Sequence, residues 1–217
     1  MTKEIKITFS IAAIVIIGLV LLMAFSPKQS PTSSAIVDQS SLVASSSHMT
    51  GKLGAKVTIV EFGDYECPAC GYAAPIVKQL IDIYGKDPDF NFVFRNFPLS
   101  SIHPNAMIGA EAAEAAAAQG KFWQMNELLY EKQDEWAGSS TPIDLLVGYA
   151  KQLGLDTARF KKEVSSNAYE KLILSDEDDG NRLGVAWTPT FYINGVLQQQ
   201  TPTLDGFKSQ IDAVLKK

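Results

Sequence analysis

The stretch Val57-Thr58-Ile59-Val60-Glu61-Phe62-Gly63-Asp64-Tyr65-Glu66-Cys67-Pro68-Ala69-Cys70 decides the fold, because the chain's only two cysteines stand in it, three positions apart, behind an apolar run. Residues 57–62 are β-branched and aromatic apart from Glu61, as a buried strand requires, and Gly63-Asp64 breaks the run. Beyond Cys70, the residues Ala73, Ala74, Ile76, Val77, Leu80, Ile81 and Tyr84 recur at helical spacing. Strand, tight loop, CxxC and helix therefore follow in that order.

That placement predicts redox chemistry. A cysteine in the first turn of a helix faces unpaired backbone N–H groups and the positive end of the macrodipole, and both stabilise a thiolate. Cys67 is expected to be the acidic, exposed thiol, with a pKa below the ~8.5 of a free cysteine. Cys70, one turn in, is expected to be buried and to resolve mixed disulfides formed at Cys67. A zinc site would need two more ligands, yet there is no other cysteine and the two histidines, His48 and His103, lie far apart. No metal and no cofactor is expected. A purely structural disulfide would close too short a loop to constrain the unfolded chain much.

Working towards the N-terminus, residues 51–56 lead into the strand, and 27–50 are rich in Ser, Thr, Pro and Gln with few large apolar residues. Such a composition cannot bury enough surface to offset ordering entropy, so 27–50 is expected to be a flexible linker with His48 solvent-exposed in it. Before it, Lys3 and Lys6 precede an apolar run from Ile7 to Phe25 that spans about 28 Å as a helix, close to a hydrocarbon core. Residues 1–26 are expected to be a single-pass membrane anchor, favoured over a cleaved signal peptide. The early lysines put the N-terminus in the cytoplasm and the remaining chain outside, where disulfides persist.

Towards the C-terminus, residues 90–97 alternate like a second strand, which suggests a parallel βαβ unit. From Pro104, placed at a helix N1, to about Leu183 the periodicity is helical: a small-residue face of Ala106, Ala110, Ala113 and Ala117 ended by Gly120, then segments over 121–135, from Thr141-Pro142 to Leu153, from the capping Asp156, and from about Asn167. The acidic run Asp176-Glu177-Asp178-Asp179 is expected to be a solvated helix face. Asn194-Gly195 between apolar runs signals a type I′ hairpin, and Thr203 opens a final amphipathic helix. With 217 residues, 46% hydrophobic, the chain can build a sizeable core, and a formal charge of −5 gives no electrostatic footprint for nucleic acid.

Taken together, Val60 to Cys70, Phe97-Pro98-Leu99 with His103-Pro104, Gln119-Gly120-Lys121-Phe122-Trp123, and Thr188-Pro189-Thr190-Phe191 resemble the thioredoxin superfamily and, within it, the DsbA-like thiol:disulfide oxidoreductases of bacterial envelopes. The resemblance covers nearly all of 51–217. It implies an α/β fold, a thioredoxin-like core sheet with a helical subdomain inserted at about 104–183. Pro75 resembles the proline that kinks the active-site helix. Pro189 is implied to be a cis-proline beside the dithiol, with Trp187 and Thr188 in the substrate-binding loop. Glu61 is implied to be a buried acid that shuttles the proton of Cys70, for which Arg95 on the neighbouring strand is a candidate partner. Pro68 and Ala69 complete the motif; the most oxidising members carry histidine at the position of Ala69, so a weaker oxidant is expected. His103 reads as a capping or packing residue.

The function expected is oxidation of cysteines in reduced exported proteins by a Cys67-Cys70 disulfide, which a membrane or soluble redox partner then regenerates. A reductase or isomerase on the same fold is the alternative, and a redox-inactive peptide-binding module is the alternative from another class. A monomer is expected, since 26–50 is too short and polar for a dimerisation domain.

Overall fold

The computed structural model of the protein describes residues 36–44 and 47–216. The predicted anchor and the first part of the linker lie outside the described residues. Among the described residues no helix is long and apolar enough to cross a membrane.

A five-stranded mixed sheet carries the fold. Its strands are β1 (His48–Met49), β2 (Val57–Gly63), β3 (Phe90–Asn96), β4 (Thr190–Ile193) and β5 (Val196–Leu197), in the spatial order β1-β3-β2-β4-β5. β2 and β3 run parallel and are joined by α2 (Pro68–Tyr84), which is the expected βαβ unit; the other pairings are antiparallel. The register puts Glu61 opposite Phe94 and Phe62 opposite Arg95. Because successive side chains point to opposite faces, Glu61 and Arg95 lie on different sides of the sheet. On one side, Val57, Ile59, Phe90, Phe92 and Phe94 pack with α2 and with the helical insertion. On the other, Val60, Phe62, Val93 and Tyr192 pack with Leu42, Phe97 and Val185.

The insertion comprises α3 (Ala106–Ala117), α4 (Phe122–Glu131), α5 (Gln133–Trp136), α6 (Pro142–Gln152), α7 (Thr157–Ser165) and α8 (Glu170–Arg182), and α9 (Leu204–Leu215) closes the chain. Asp156 caps α7 by accepting from the N–H groups of Ala158 and Arg159, both at 3.0 Å, and Thr203 caps α9 through Gly206 N–H at 3.1 Å. Asn194 and Gly195 both have positive φ, 47° and 83°, as a type I′ turn needs.

Four expectations need correction. Regular structure is present before residue 51: Asp38 caps α1 (Gln39–Leu42), whose Leu42 is fully buried, and β1 adds an edge to β3. His48 is not an exposed linker residue. Its Nε2 lies 3.0 Å from both carboxylate oxygens of the buried Glu114, and its ring stacks on Phe122 at 3.5 Å. The segment 121–135 is two helices, because Lys132 leaves helical geometry at φ −108°, ψ 23°. Pro104 is not at N1: α3 starts at Ala106, since Asn105 is drawn aside to donate its side-chain amide to the Ala137 and Ser139 carbonyls at 2.6 and 3.0 Å.

Candidate active site

β2 ends at Gly63, the turn Asp64–Glu66 follows, and Cys67 is the N-cap of α2 with Pro68 as the first helical residue. Proline fits there because its missing N–H is one that the helix start could not pair, and its fixed φ is already helical. Cys67 and Cys70 are both free thiols, one helical turn apart. Thr188 and Pro189, joined by a cis peptide bond, sit against them: the Cys67 Sγ–H donates to the Thr188 carbonyl at 3.4 Å. That contact corrects the expectation of an exposed nucleophile. Cys67 is only 7% exposed, and Cys70 is fully buried.

The two thiols differ sharply in acidity. The Cys67 thiol is pulled down to about 5, chiefly because its thiolate accepts from the Cys70 S–H; burial opposes this, while the Thr188 hydroxyl and the N–H groups of Cys70 and Ala69 add to it. The Thr188 hydroxyl has no hydrogen-bond partner among the described residues, which leaves it free to donate to that thiolate. Cys70 is pushed well above the ordinary thiol range by burial, by Cys67 and by the charge of Glu61. It accepts one backbone hydrogen bond, from Asp64 N–H at 3.5 Å.

Glu61 lies on the dithiol side of the sheet and is 2% exposed, with one carboxylate oxygen that has no partner among the described residues. Burial raises it to about 8, so near neutrality it carries a proton. Arg95 is not its partner. Its guanidinium crosses to the other face, pairs with Asp176 at 2.7 Å and Asp179 at 2.5 Å, and donates to the Leu42 carbonyl at 3.2 Å. The acidic run is therefore not simply a solvated face, since Asp176 is 1% exposed and also accepts from Asn96 N–H at 3.1 Å.

Two site residues had no distinguishing mark in the sequence beyond their type. Gln133, released by the break at Lys132, donates its amide to the carbonyls of Tyr65 at 2.8 Å and Cys67 at 2.9 Å, bracing the turn that presents the dithiol. Asp64, read only as a strand breaker, is buried and holds His103. Trp187, 53% exposed, joins Tyr72 and Ile102 as large apolar side chains left in solvent within one or two residues of the site.

Comparison with known proteins agrees with this geometry. The thioredoxin family model matches residues 44–213. A probable disulfide bond formation protein D of Bacillus cereus is 31% identical over 216 residues, covering 97% of this chain and 95% of that protein. A Na(+)/H(+) antiporter NhaA 1 of Salinispora arenicola is 43% identical over 148 residues, which are 68% of this chain; the chain spans only 22% of that relative's length. Among solved structures, oxidised BdbD from Bacillus subtilis superposes with a TM-score of 0.71 at 26% identity, covering 79% of this chain and 94% of BdbD. The chain belongs to the thioredoxin superfamily, among its DsbA-like thiol:disulfide oxidoreductases.

Proposed function

We propose that the protein oxidises cysteine pairs in exported proteins. A substrate thiolate attacks Cys67 Sγ of the Cys67–Cys70 disulfide, the sulfur–sulfur bond breaks, and its electron pair leaves on Cys70. A second substrate thiolate then attacks the mixed disulfide, forming the substrate disulfide and releasing Cys67 as a thiolate. Two electrons pass from substrate to the cysteine pair in each cycle, and a membrane or soluble redox partner restores the disulfide.

The observation that carries this reading is the asymmetry of the pair: a Cys67 held near pKa 5 is a good leaving thiolate, while the buried Cys70 needs a proton. Glu61 is the group to supply it, being buried on the same side and protonated near neutrality. The substrate chain is taken to lie along Thr188 and Pro189, with Trp187 supplying apolar contact. The 31% identity to a probable disulfide bond formation protein supports the oxidising direction. The apolar run behind Lys3 and Lys6 supports a single-pass anchor with the catalytic domain outside the cytoplasm. The deciding experiment is equilibration with glutathione followed by oxidative refolding of a reduced, denatured substrate. An oxidase refolds it catalytically, and the Cys67→Ala variant does not; failure of the parent protein to refold it while it reduces insulin readily would favour a reductase instead.

A further inference from the structure

We propose that His103 is a positioning residue for the exchange reaction: by holding the Asp64 carboxylate it fixes the Asp64 backbone N–H against Cys70 Sγ, and so stabilises Cys70 as the leaving thiolate. The proposal rests on the oxidoreductase reading above and assigns a role inside it to a pair of residues outside the CxxC motif.

Asp64 joins two segments. Its carboxylate, in a residue 1% exposed, accepts from Glu66 N–H at 2.8 Å on Oδ1 and from Leu99 N–H at 2.9 Å on Oδ2. Oδ2 also faces His103 Nδ1 at 2.6 Å. A carboxylate only accepts, so Nδ1 carries the hydrogen in that bond. The backbone of the same residue reaches both cysteines: the N–H points at Cys70 Sγ at 3.5 Å, and the carbonyl accepts Cys67 N–H at 3.2 Å. The Asp64 carboxylate therefore ties the residue whose peptide groups touch both cysteines to Glu66, Leu99 and His103, and restrains that turn from its side-chain end.

The segment that carries His103 is itself strapped to this turn. Phe97 N–H bonds the Gly63 carbonyl at 2.8 Å, the N–H groups of Ile102 and His103 both bond the Leu99 carbonyl at 2.9 Å, and Asn105 N–H bonds the Glu66 carboxylate at 2.5 Å. Within it, His103 supplies the one side-chain donor that Asp64 receives among the described residues. Its side chain is 16% exposed, at the rim of the site, while the Asp64 carboxylate that it holds is buried.

In the oxidising direction the electron pair of the broken Cys67–Cys70 bond settles on Cys70 Sγ. The other ionisable groups facing that sulfur are Cys67, Glu61, Tyr65 and Tyr130. Each is negative when ionised, so Asp64 N–H is the contact that favours a thiolate there.

The test isolates Cys70. In a Cys67→Ala background it is the sole thiol, and its ionisation is followed by the carbon-13 shift of its labelled Cβ, which the tyrosines do not mask. His103→Leu fills similar space without a donor and is expected to move the Cys70 titration upward by about 1 pH unit, a tenfold loss of thiolate, for the misalignment of one hydrogen bond to a charged group. His103→Asn places an amide N–H where the ring Nδ1–H was and is expected to restore most of that shift. If the Leu variant titrates with its parent, or if Asn and Leu behave alike, the proposal is overturned. Should His103→Leu fail to fold, His103→Ala takes its place in the same titration: the Cys70 titration is expected to rise as for Leu and to be restored by Asn, and a titration that matches the parent overturns the proposal equally. If instead the protein exchanges with no protein disulfide, the functional reading falls while these titrations still report on His103.

Discussion

The two faces of the central sheet bury ionisable groups in opposite ways. On the dithiol side, Glu61 is sealed in with an unpartnered carboxylate oxygen and a pKa raised to about 8. On the other side, Arg95 is 0% exposed but meets Asp176, Asp179 and a backbone carbonyl, and its guanidinium lies 5.4 Å from the Phe62 ring centre. The groups are neighbours in register, on adjacent strands, and differ only in the face to which the alternation assigns them. A buried charge with all its partners holds structure together; a buried acid without them keeps its proton to higher pH, at a cost in stability.

The comparison can be broken most severely at the dithiol. Cys67→Ala is expected to abolish exchange with substrate while keeping the fold, and to forfeit at neutral pH the stability that the Cys67 thiolate gives the reduced parent, and Cys70→Ala to trap mixed disulfides through Cys67, both checked by gel shift and thermal melts. On the opposite face the expected pattern inverts. Arg95→Met leaves Asp176 charged and unpaired in the core, and denaturant melts should show a loss of about 3–5 kcal/mol, with the exchange chemistry of the remaining folded protein intact.

Glu61→Gln sharpens the contrast through pH. Its folded pKa lies above its unfolded value of 4.5, so the native state holds a proton that the unfolded chain has lost, and this lowers stability progressively as pH rises from about 4.5 to about 8. Removing the acid is therefore expected to stabilise the protein increasingly over that window, by a few kcal/mol at its upper end, while slowing turnover. Melts that show a constant difference across the window would mean that Glu61 is not sealed from water. The smallest effect is expected at the sheet edge, where His48→Ala loses a ring stack and one hydrogen-bond contact of the buried Glu114, which keeps the Asn96 amide as a donor, about 1–2 kcal/mol in denaturant melts.

Much of the dithiol side was legible in the chain. The β-branched run, the break at Gly63-Asp64, the CxxC and the helical stripe to Tyr84 are local signals, and so is the Asn194-Gly195 turn. The other face was not, because its partners are far apart: Arg95 meets Asp176 across 81 positions, and no local period marks that pairing. Strand alternation alone already argued against an Arg95–Glu61 pair once the register was known. The short edge strand at His48–Met49 escaped for a different reason. Two residues carry no alternation, and the polar composition around them is that of a linker. Gln133 acquires its contacts only from a break in helix geometry at Lys132 that no Gly or Pro marks, and His103, directly before Pro104, reads as capping or packing because its partner Asp64 lies 39 positions away.

The most direct test of the account is the stability of the reduced protein against the oxidised one as pH is varied, measured by denaturant melts of residues 36–217. A Cys67 thiol lowered from 9.0 to about 5 gives the reduced native state an advantage that is full above the unfolded thiol pKa and disappears as pH falls through about 5. The account predicts that the reduced form is the more stable at neutral pH and that its advantage shrinks steadily towards pH 5. An oxidised form clearly more stable at neutral pH, or a difference that does not vary with pH, would contradict it.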